Sequence, residues 1–155
     1  MTVTVSEWSR DAYIVSNDPA RLQLDVIHAY LARSYWAAKI PMETVVHSLQ
    51  HSIGYGVYQD GIQAGFARVI TDFTTLGYLA DVFVLEEHRS RGLARWLVRC
   101  ILETPELATL RRWVLITRDA HAIYHRAGFS QAAHPERYME IVRINPYDGS
   151  APGAA

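Results

Sequence analysis

The chain has 155 residues, half of them hydrophobic and a fifth charged, an ordinary balance for one globular domain with a buried core. Lys plus Arg number 15 against 16 for Asp plus Glu, a formal net charge of −1, so no global positive field exists to hold nucleic acid or an anionic membrane. The single cysteine, Cys100, excludes an internal disulfide and a zinc ribbon, and no stretch approaches the ~20 apolar residues of a membrane span.

The opening residues, Met1 to Trp8, lack a basic start followed by an apolar run, so a cytoplasmic protein is expected. Tyr13-Ile14-Val15 is a short β-prone run. Asp18-Pro19 has the form of a helix cap with proline at the first helical position, and Leu24, Ile27 and Leu31 follow at helical spacing. Ser34-Tyr35-Trp36 falls in a connection, and Pro41 opens a second helix with Met42, Val45, Val46 and Leu49 as its apolar stripe. A hairpin comes next: Ile53, Tyr55 and Val57 alternate with smaller or polar neighbours, Asp60-Gly61 supplies a two-residue turn, and Phe66 to Ile70 returns. After a break at Asp72 to Thr75, the run from Leu76 to Leu85 predicts a strand buried on both faces.

The pattern predicts a helix from Gly92 to Glu103, with Leu93, Trp96, Leu97, Cys100 and Ile101 on one stripe and Arg95 and Arg99 opposite. Trp113 to Ile116 is a short strand, Ala120 to Ala127 a helix capped by Asp119 and ended by Gly128, and Tyr138 to Ile144 a last strand. The fold class is α/β (α+β), with a central, mixed but mostly antiparallel sheet flanked by helices. Residues 1–147 read as one domain. The tail 148–155 has nothing to bury and reads as flexible.

Chemistry concentrates at the junction from Asp81 to Arg95. A buried strand ends, a short polar loop follows, and a helix starts at Gly92. Small residues at 92 and 94 permit close approach to backbone, and the first helical turn carries unpaired N–H groups and a positive dipole end. Arg89, Arg91 and Arg95 add charge, which describes an anion site of the phosphate-holding kind. A solvated basic helix face is the simpler alternative. No Lys-Ser/Thr pair makes this a Walker loop, and no third glycine makes it a dinucleotide fingerprint.

A second segment, Ala120-His121-Ala122-Ile123-Tyr124-His125-Arg126-Ala127-Gly128-Phe129, follows the next strand. The Arg-x-x-Gly-x-Ala loop after Val82-Phe83-Val84, with the later Ala-x-x-x-Tyr-x-x-x-Gly-Phe, resembles the GCN5-related N-acetyltransferase (GNAT) superfamily. The resemblance runs from about Tyr13 to Ile144. It implies acetyl-CoA as co-substrate, its pantetheine arm bonded to the backbone of Val82, Phe83 and Val84. Arg89, Ser90, Arg91, Gly92, Leu93, Ala94 and Arg95 would wrap its pyrophosphate, and Tyr124 would protonate the departing thiolate. Three positions depart from the family pattern: Glu86 stands for a common proline, Ala94 for a common glycine, and Thr117 for a common asparagine that contacts the cofactor.

The implied reaction is acetyl transfer to a primary amine, of a small molecule or a protein, by direct attack within a ternary complex. A non-catalytic acyl-CoA-binding or sensing module on the same fold is the alternative, and a different acyl donor is compatible with the residues. Asp81, an acid inside an apolar run, is the candidate general base, with a carboxylate satisfied by backbone or by an arginine as its structural reading. Asp72 and Glu43 rank behind it. Tyr35, Trp36, Phe73 and Tyr78 fall where the family builds its acceptor pocket, and a homodimer accords with family habit. The pairs His47/His51 and His121/His125 have zinc-ligand spacing but no supporting acid or cysteine, so no metal is expected. Cys100 lies on the inward stripe of its helix and reads as packing.

Overall fold

The computed structural model describes residues 2–143 and Tyr147. The expected tail at 148–155, and Ile144 at the end of the expected last strand, lie outside the described residues. The strands are β1 (Glu7–Arg10), β2 (Tyr13–Ser16), β3 (Ile53–Gln59), β4 (Ile62–Thr71), β5 (Leu76–Val84) and β6 (Arg112–Leu115), and the helices are α1 (Leu24–Ala32), α2 (Met42–Gln50), α3 (Leu93–Leu102) and α4 (His121–Arg126). The six strands lie in sequence order in one sheet. Each neighbouring pair is antiparallel except β5 and β6, which are parallel because α3 carries the chain back across the sheet.

Alternation places the two core layers. One face of the sheet turns Tyr55, Val57, Ala67, Val69 and Leu79 toward Leu93, Leu97, Cys100 and Ile101 of α3. The other turns Phe66 and Phe83 toward Ile27, Leu31 and Val45 of the first two helices. Both faces are covered, which is why the middle strands read as near-continuous apolar runs. Asp60 (φ 51°) and Gly61 (φ 76°) form the two-residue turn between β3 and β4, with Gln59 opposite Ile62.

Four details differ from the sequence-based expectations. Strand β1 was not anticipated; its exposed–half-buried alternation is carried by the polar run Glu7-Trp8-Ser9-Arg10. The Asp18 carboxylate does accept from the Ala20 amide at 2.9 Å, but the turn it caps is only Pro19–Arg21, and α1 begins at Leu24. A reciprocal pair of amide bonds between Gln23 and Gln63 pins the chain between the two elements. Asp119 does not cap α4; the Thr117 hydroxyl accepts from the Ala120 amide at 3.0 Å, and Asp119 pairs with Arg118. Finally, Tyr138 to Arg143 form no strand and lie exposed, after a short turn at Pro135–Arg137.

Candidate active site

Strand pairing opens the site. Leu76 to Leu79 of β5 pair with Arg112 to Leu115 of β6, but β5 continues to Val84 while β6 stops. Beyond Leu79 the β6-facing edge of β5 is therefore free, and its amides and carbonyls face a cleft of about 890 Å³. Val82, Phe83 and Val84 line this cleft together with Arg89, Ser90, Gly92, Leu93, Ala94 and Arg95. Phe83 is held by a parallel stack on Tyr30, with ring centroids 4.0 Å apart.

The loop into α3 is shaped by two left-handed residues, Ser90 (φ 63°) and Gly92 (φ 72°). Among the described residues no side chain caps the helix, which leaves its first-turn amides at the cleft without a protein acceptor. Arg10 anchors the loop from the far end of the sheet: it donates to the Arg91 carbonyl at 2.8 Å and stacks over Trp96. Arg89 also serves the fold, donating to the Val84 carbonyl (3.1 Å) and to the Tyr30 hydroxyl (2.9 Å). Arg91 does not line the cleft; Arg95 does, and among the described residues neither side chain makes an ion pair. Glu86, where the family commonly has proline, pairs with Arg33 at 2.7 Å, which holds its carboxyl down to about 2. That bond ties the loop after β5 to the end of α1. Thr117, at the common asparagine position, is spent on the turn into α4.

Tyr124 reaches the same cleft from α4, its ring edge-on to Phe129. Burial pushes its phenol up to about 12, with the neighbouring Tyr35 and Asp119 adding to the shift. It stays protonated throughout the neutral range.

Asp81 sits in a β-bulge. Phe66 pairs with Phe83 and Arg68 with Ala80, so Ala67 alone faces both Asp81 and Val82. Asp81 takes a left-handed backbone (φ 55°), which aspartate tolerates better than most residues. Its Oδ2 accepts from Arg68 Nε at 2.8 Å and its Oδ1 from Trp36 Nε1 at 2.9 Å. Both partners of the ion pair are largely buried, at 16% and 13% side-chain exposure, so the charge is compensated where it stands.

Of the four expected acceptor-side aromatics, Tyr35 and Trp36 line the cleft, edge to face at 5.1 Å. Phe73 and Tyr78 do not. Phe73, in the turn between β4 and β5, packs against the α3-side core. Tyr78 lies beside the Asp81 cluster, and burial, then the Asp81 charge, raise its pKa. Cleft residues with no sequence signal are Tyr30, Arg33, His88 and Arg118. His88 Nδ1 bonds the Tyr13 hydroxyl at 2.8 Å. The Arg118 amide donates to the Tyr35 hydroxyl at 3.2 Å and its guanidinium stacks on that ring, so the α1–α2 connection meets the β6–α4 loop across the opening.

Cys100 is buried, and burial pushes its thiol up to about 12, as suits a packing residue. No helix among the described residues is long and apolar enough to cross a membrane.

A sheet parted between its parallel strands, with an uncapped helix behind the gap, is the GNAT architecture. Residues 50–131 match the acetyltransferase (GNAT) domain model. A solved structure from Xanthomonas campestris pv. campestris, described as "a putative acetyltransferase belonging to the gnat family", is 40% identical, with a TM-score of 0.85 over 90% of this chain and 99% of its own. A curated relative from Gibberella zeae, described as "Putative acetyltransferase", is 35% identical over 133 residues, 72% of this chain and 75% of the relative. A Clostridium acetobutylicum protein, described as a "predicted acetyltransferase with acetyl-CoA", shares the fold at 11% identity and a TM-score of 0.60, over 84% of this chain and 94% of its own. The chain belongs to the GNAT acetyltransferase family.

Proposed function

We propose that this protein transfers the acetyl group of acetyl-CoA directly to a primary amine bound beside it. The observation that carries this reading is the convergence, in one cleft, of the free edge of Val82–Val84, the uncapped start of α3 and the Tyr124 hydroxyl. A pantetheine arm needs an amide partner along its length, a diphosphate needs N–H donors and positive charge, and a thiolate needs a proton donor. In the coenzyme the pantetheine arm joins the diphosphate to the thiol, so the free edge of β5 would bridge the helix start and the Tyr124 hydroxyl. The residues fit the co-substrate: the first-turn amides and the charge of Arg95 offer an anion what it needs, with Ser90, Gly92, Leu93 and Ala94 shaping the approach. Arg89 acts through the loop it holds, and Arg91 contributes the carbonyl by which Arg10 anchors that loop.

The reaction then runs as follows. A neutral amine attacks the thioester carbonyl, a C–N bond forms, and the oxyanion meets a backbone N–H on β5. Collapse breaks the C–S bond, the sulfur takes up a proton, and the amine nitrogen loses one. Tyr124 donates to the developing thiolate. Asp81, which does not itself line the cleft, takes the amine proton through a water: each carboxylate oxygen keeps a lone pair beyond its bond to Arg68 or Trp36, and Trp36, which does line the cleft, links it to the acceptor wall. Tyr35 and Trp36 form that wall, an aromatic surface suited to an apolar or cationic amine.

Calorimetry with acetyl-CoA, followed by a panel of primary amines with detection of free coenzyme thiol, tests the proposal. Binding with amine-dependent thiol release supports it. Binding without release from any amine favours the acyl-CoA-binding module, and absence of binding overturns both.

A further inference from the structure

The acceptor end of the cleft carries a cation that the reaction steps above leave unused. Five arginines line the cleft, Arg33, Arg89, Arg95, Arg118 and Arg126, and among the described residues one acid does, Asp119. Arg33 is held by Glu86 at 2.7 Å, and Arg89 by the Val84 carbonyl and the Tyr30 hydroxyl. Arg95 belongs to the first turn of α3, where the diphosphate donors are, and Arg126 ends α4.

Arg118 differs in how it is held. Its guanidinium carbon lies 3.8 Å from the centre of the Tyr35 ring, and its backbone amide donates to the Tyr35 hydroxyl at 3.2 Å. A stack of this kind fixes the group by its face and leaves the N–H edge free. Its acidic partner among the described residues, Asp119, is 3.4 Å away with the two side chains 63% and 66% exposed, an ion pair that contributes little. Asp81, the next acid along the wall, is already matched by Arg68 at 2.8 Å. A fixed planar fork with an open edge is what a carboxylate binds through two parallel hydrogen bonds.

The Tyr35–Trp36 pair sets how far that fork lies from the chemistry. Tyr35 holds Arg118 and neighbours Tyr124, whose phenol it helps to raise. Trp36 meets Tyr35 edge to face at 5.1 Å and bonds Asp81 at 2.9 Å. Carboxylate site, proton donor and proton acceptor are thus gathered about two adjacent rings. That spacing suits an amine and a carboxylate on one carbon better than groups at the ends of a long chain. The remaining surface is apolar: Tyr35 (52% exposed), Trp36 (41%) and Ile123 (36%) line the cleft and offer a place for an apolar group. A polyamine or a lysine-rich segment would meet five arginines and gain one acid.

We propose that Arg118 binds the carboxylate of the acceptor, and that the acceptor is a free α-amino acid with an aromatic or large aliphatic side chain. The inference rests on the acetyl-transfer reading and narrows its substrate. The α-amine forms the C–N bond as the C–S bond breaks; its proton leaves through water to Asp81, and the sulfur takes one from Tyr124. The products are an N-acetyl amino acid and the free coenzyme thiol. A peptide carries an amide where the free acid carries its carboxylate, so a protein N-terminus is a poor acceptor.

The test separates the carboxylate site from the transfer itself. Calorimetry on the full chain saturated with coenzyme A, which has no acetyl group to give, measures the binding of L-phenylalanine, L-tryptophan, L-leucine and L-methionine beside that of their amides. At least one acid is expected to bind about 10- to 150-fold more tightly than its amide, the range for hydrogen bonds to a charged group. Arg118→Gln is expected to erase that difference, and Arg118→Lys, which keeps the charge without the fork, to restore part of it. With acetyl-CoA, the release of free coenzyme thiol is expected to follow the same preference. Acid and amide bound equally, no acid bound, or a preference that survives Arg118→Gln would overturn the proposal, while thiol release from other amines would leave acetyl transfer standing. Preferential binding of an acid with no thiol release would uphold the carboxylate site and overturn the transfer.

Discussion

Tyr124→Phe isolates one hydroxyl. The ring keeps its edge contact with Phe129 and its place against the α3-side core, and the lost oxygen has no protein partner among the described residues. Stability should therefore move by less than about 0.5 kcal/mol, the ordinary range for such a change. The kinetic effect should be larger and confined to turnover. Burial holds the phenol at about 12, well above a thiol near ~8.5, so complete proton transfer to sulfur is uphill and the hydroxyl acts mainly as a hydrogen-bond donor to the growing negative charge. A hydrogen bond to a charged group contributes about 1.5–3 kcal/mol, which corresponds to a loss of about 10- to 150-fold in kcat. Steady-state rates from thiol release, with calorimetry for acetyl-CoA, separate the two effects. An unchanged kcat, or a loss of cofactor affinity that accounts for the whole defect, would refute this role. The same pKa makes a second demand: wild-type kcat should show no alkaline limb near pH 10 that disappears in the variant.

Asp81→Asn keeps a residue that tolerates the left-handed backbone and an oxygen for Trp36, but removes the charge facing Arg68. It should depress kcat by about 100-fold or more if the carboxylate takes the amine proton; a melting-point drop with normal kcat would reduce Asp81 to a structural partner of Arg68. At Gly92 an added Cβ would meet only the Arg10 guanidinium, at 3.8 Å, so Gly92→Ala should cost about 1–2 kcal/mol from its positive φ and leave cofactor affinity nearly intact. Gly92→Glu adds an anion at the helix start and draws Arg10 from the Arg91 carbonyl, so calorimetry should show acetyl-CoA affinity lost; retained affinity would displace the diphosphate from α3. Burial pushes the phenols of Tyr55 and Tyr58 up to about 12. Above pH 10 the unfolded chain ionises them while the folded chain does not, so their contribution is unchanged below pH 10 and falls between pH 10 and 12, by about 1.4 kcal/mol per pH unit for each group; Tyr124 adds to the same fall, and the Cys100 thiol adds to it from about pH 9. Urea melts at pH 9, 10 and 11 measure the slope. Tyr58→Phe should remove about half of this two-tyrosine contribution without destabilising the protein at pH 7, because that hydroxyl is buried with no partner among the described residues.

Where structure is set by local chemistry, it was readable in the chain. The Asp60-Gly61 turn and the apolar stripe of α3 with its glycine start each depend on residues only a few positions apart, and each falls where the pattern puts it. What escaped depends on register and distance. The bulge that aims Asp81 exists only once β4 and β5 are aligned, and its partner Arg68 gives no sign in the sequence of facing it. Arg10 and Arg91 are brought together from opposite ends of the sheet order. Phe73 was assigned by analogy to the acceptor side, but the positive φ of its turn directs it to the core. The run from Tyr138 reads as a strand by composition, but composition does not supply a pairing partner, and among the described residues Tyr138 to Arg143 pair with no strand.

A crystal structure with acetyl-CoA tests the central claim most directly. The account predicts the pantetheine arm bonded along Val82–Val84, the diphosphate on the first-turn amides of α3, and the sulfur within hydrogen-bond reach of the Tyr124 hydroxyl. Coenzyme bound outside the gap between β5 and β6, or a Tyr124 ring turned from the sulfur, would contradict it.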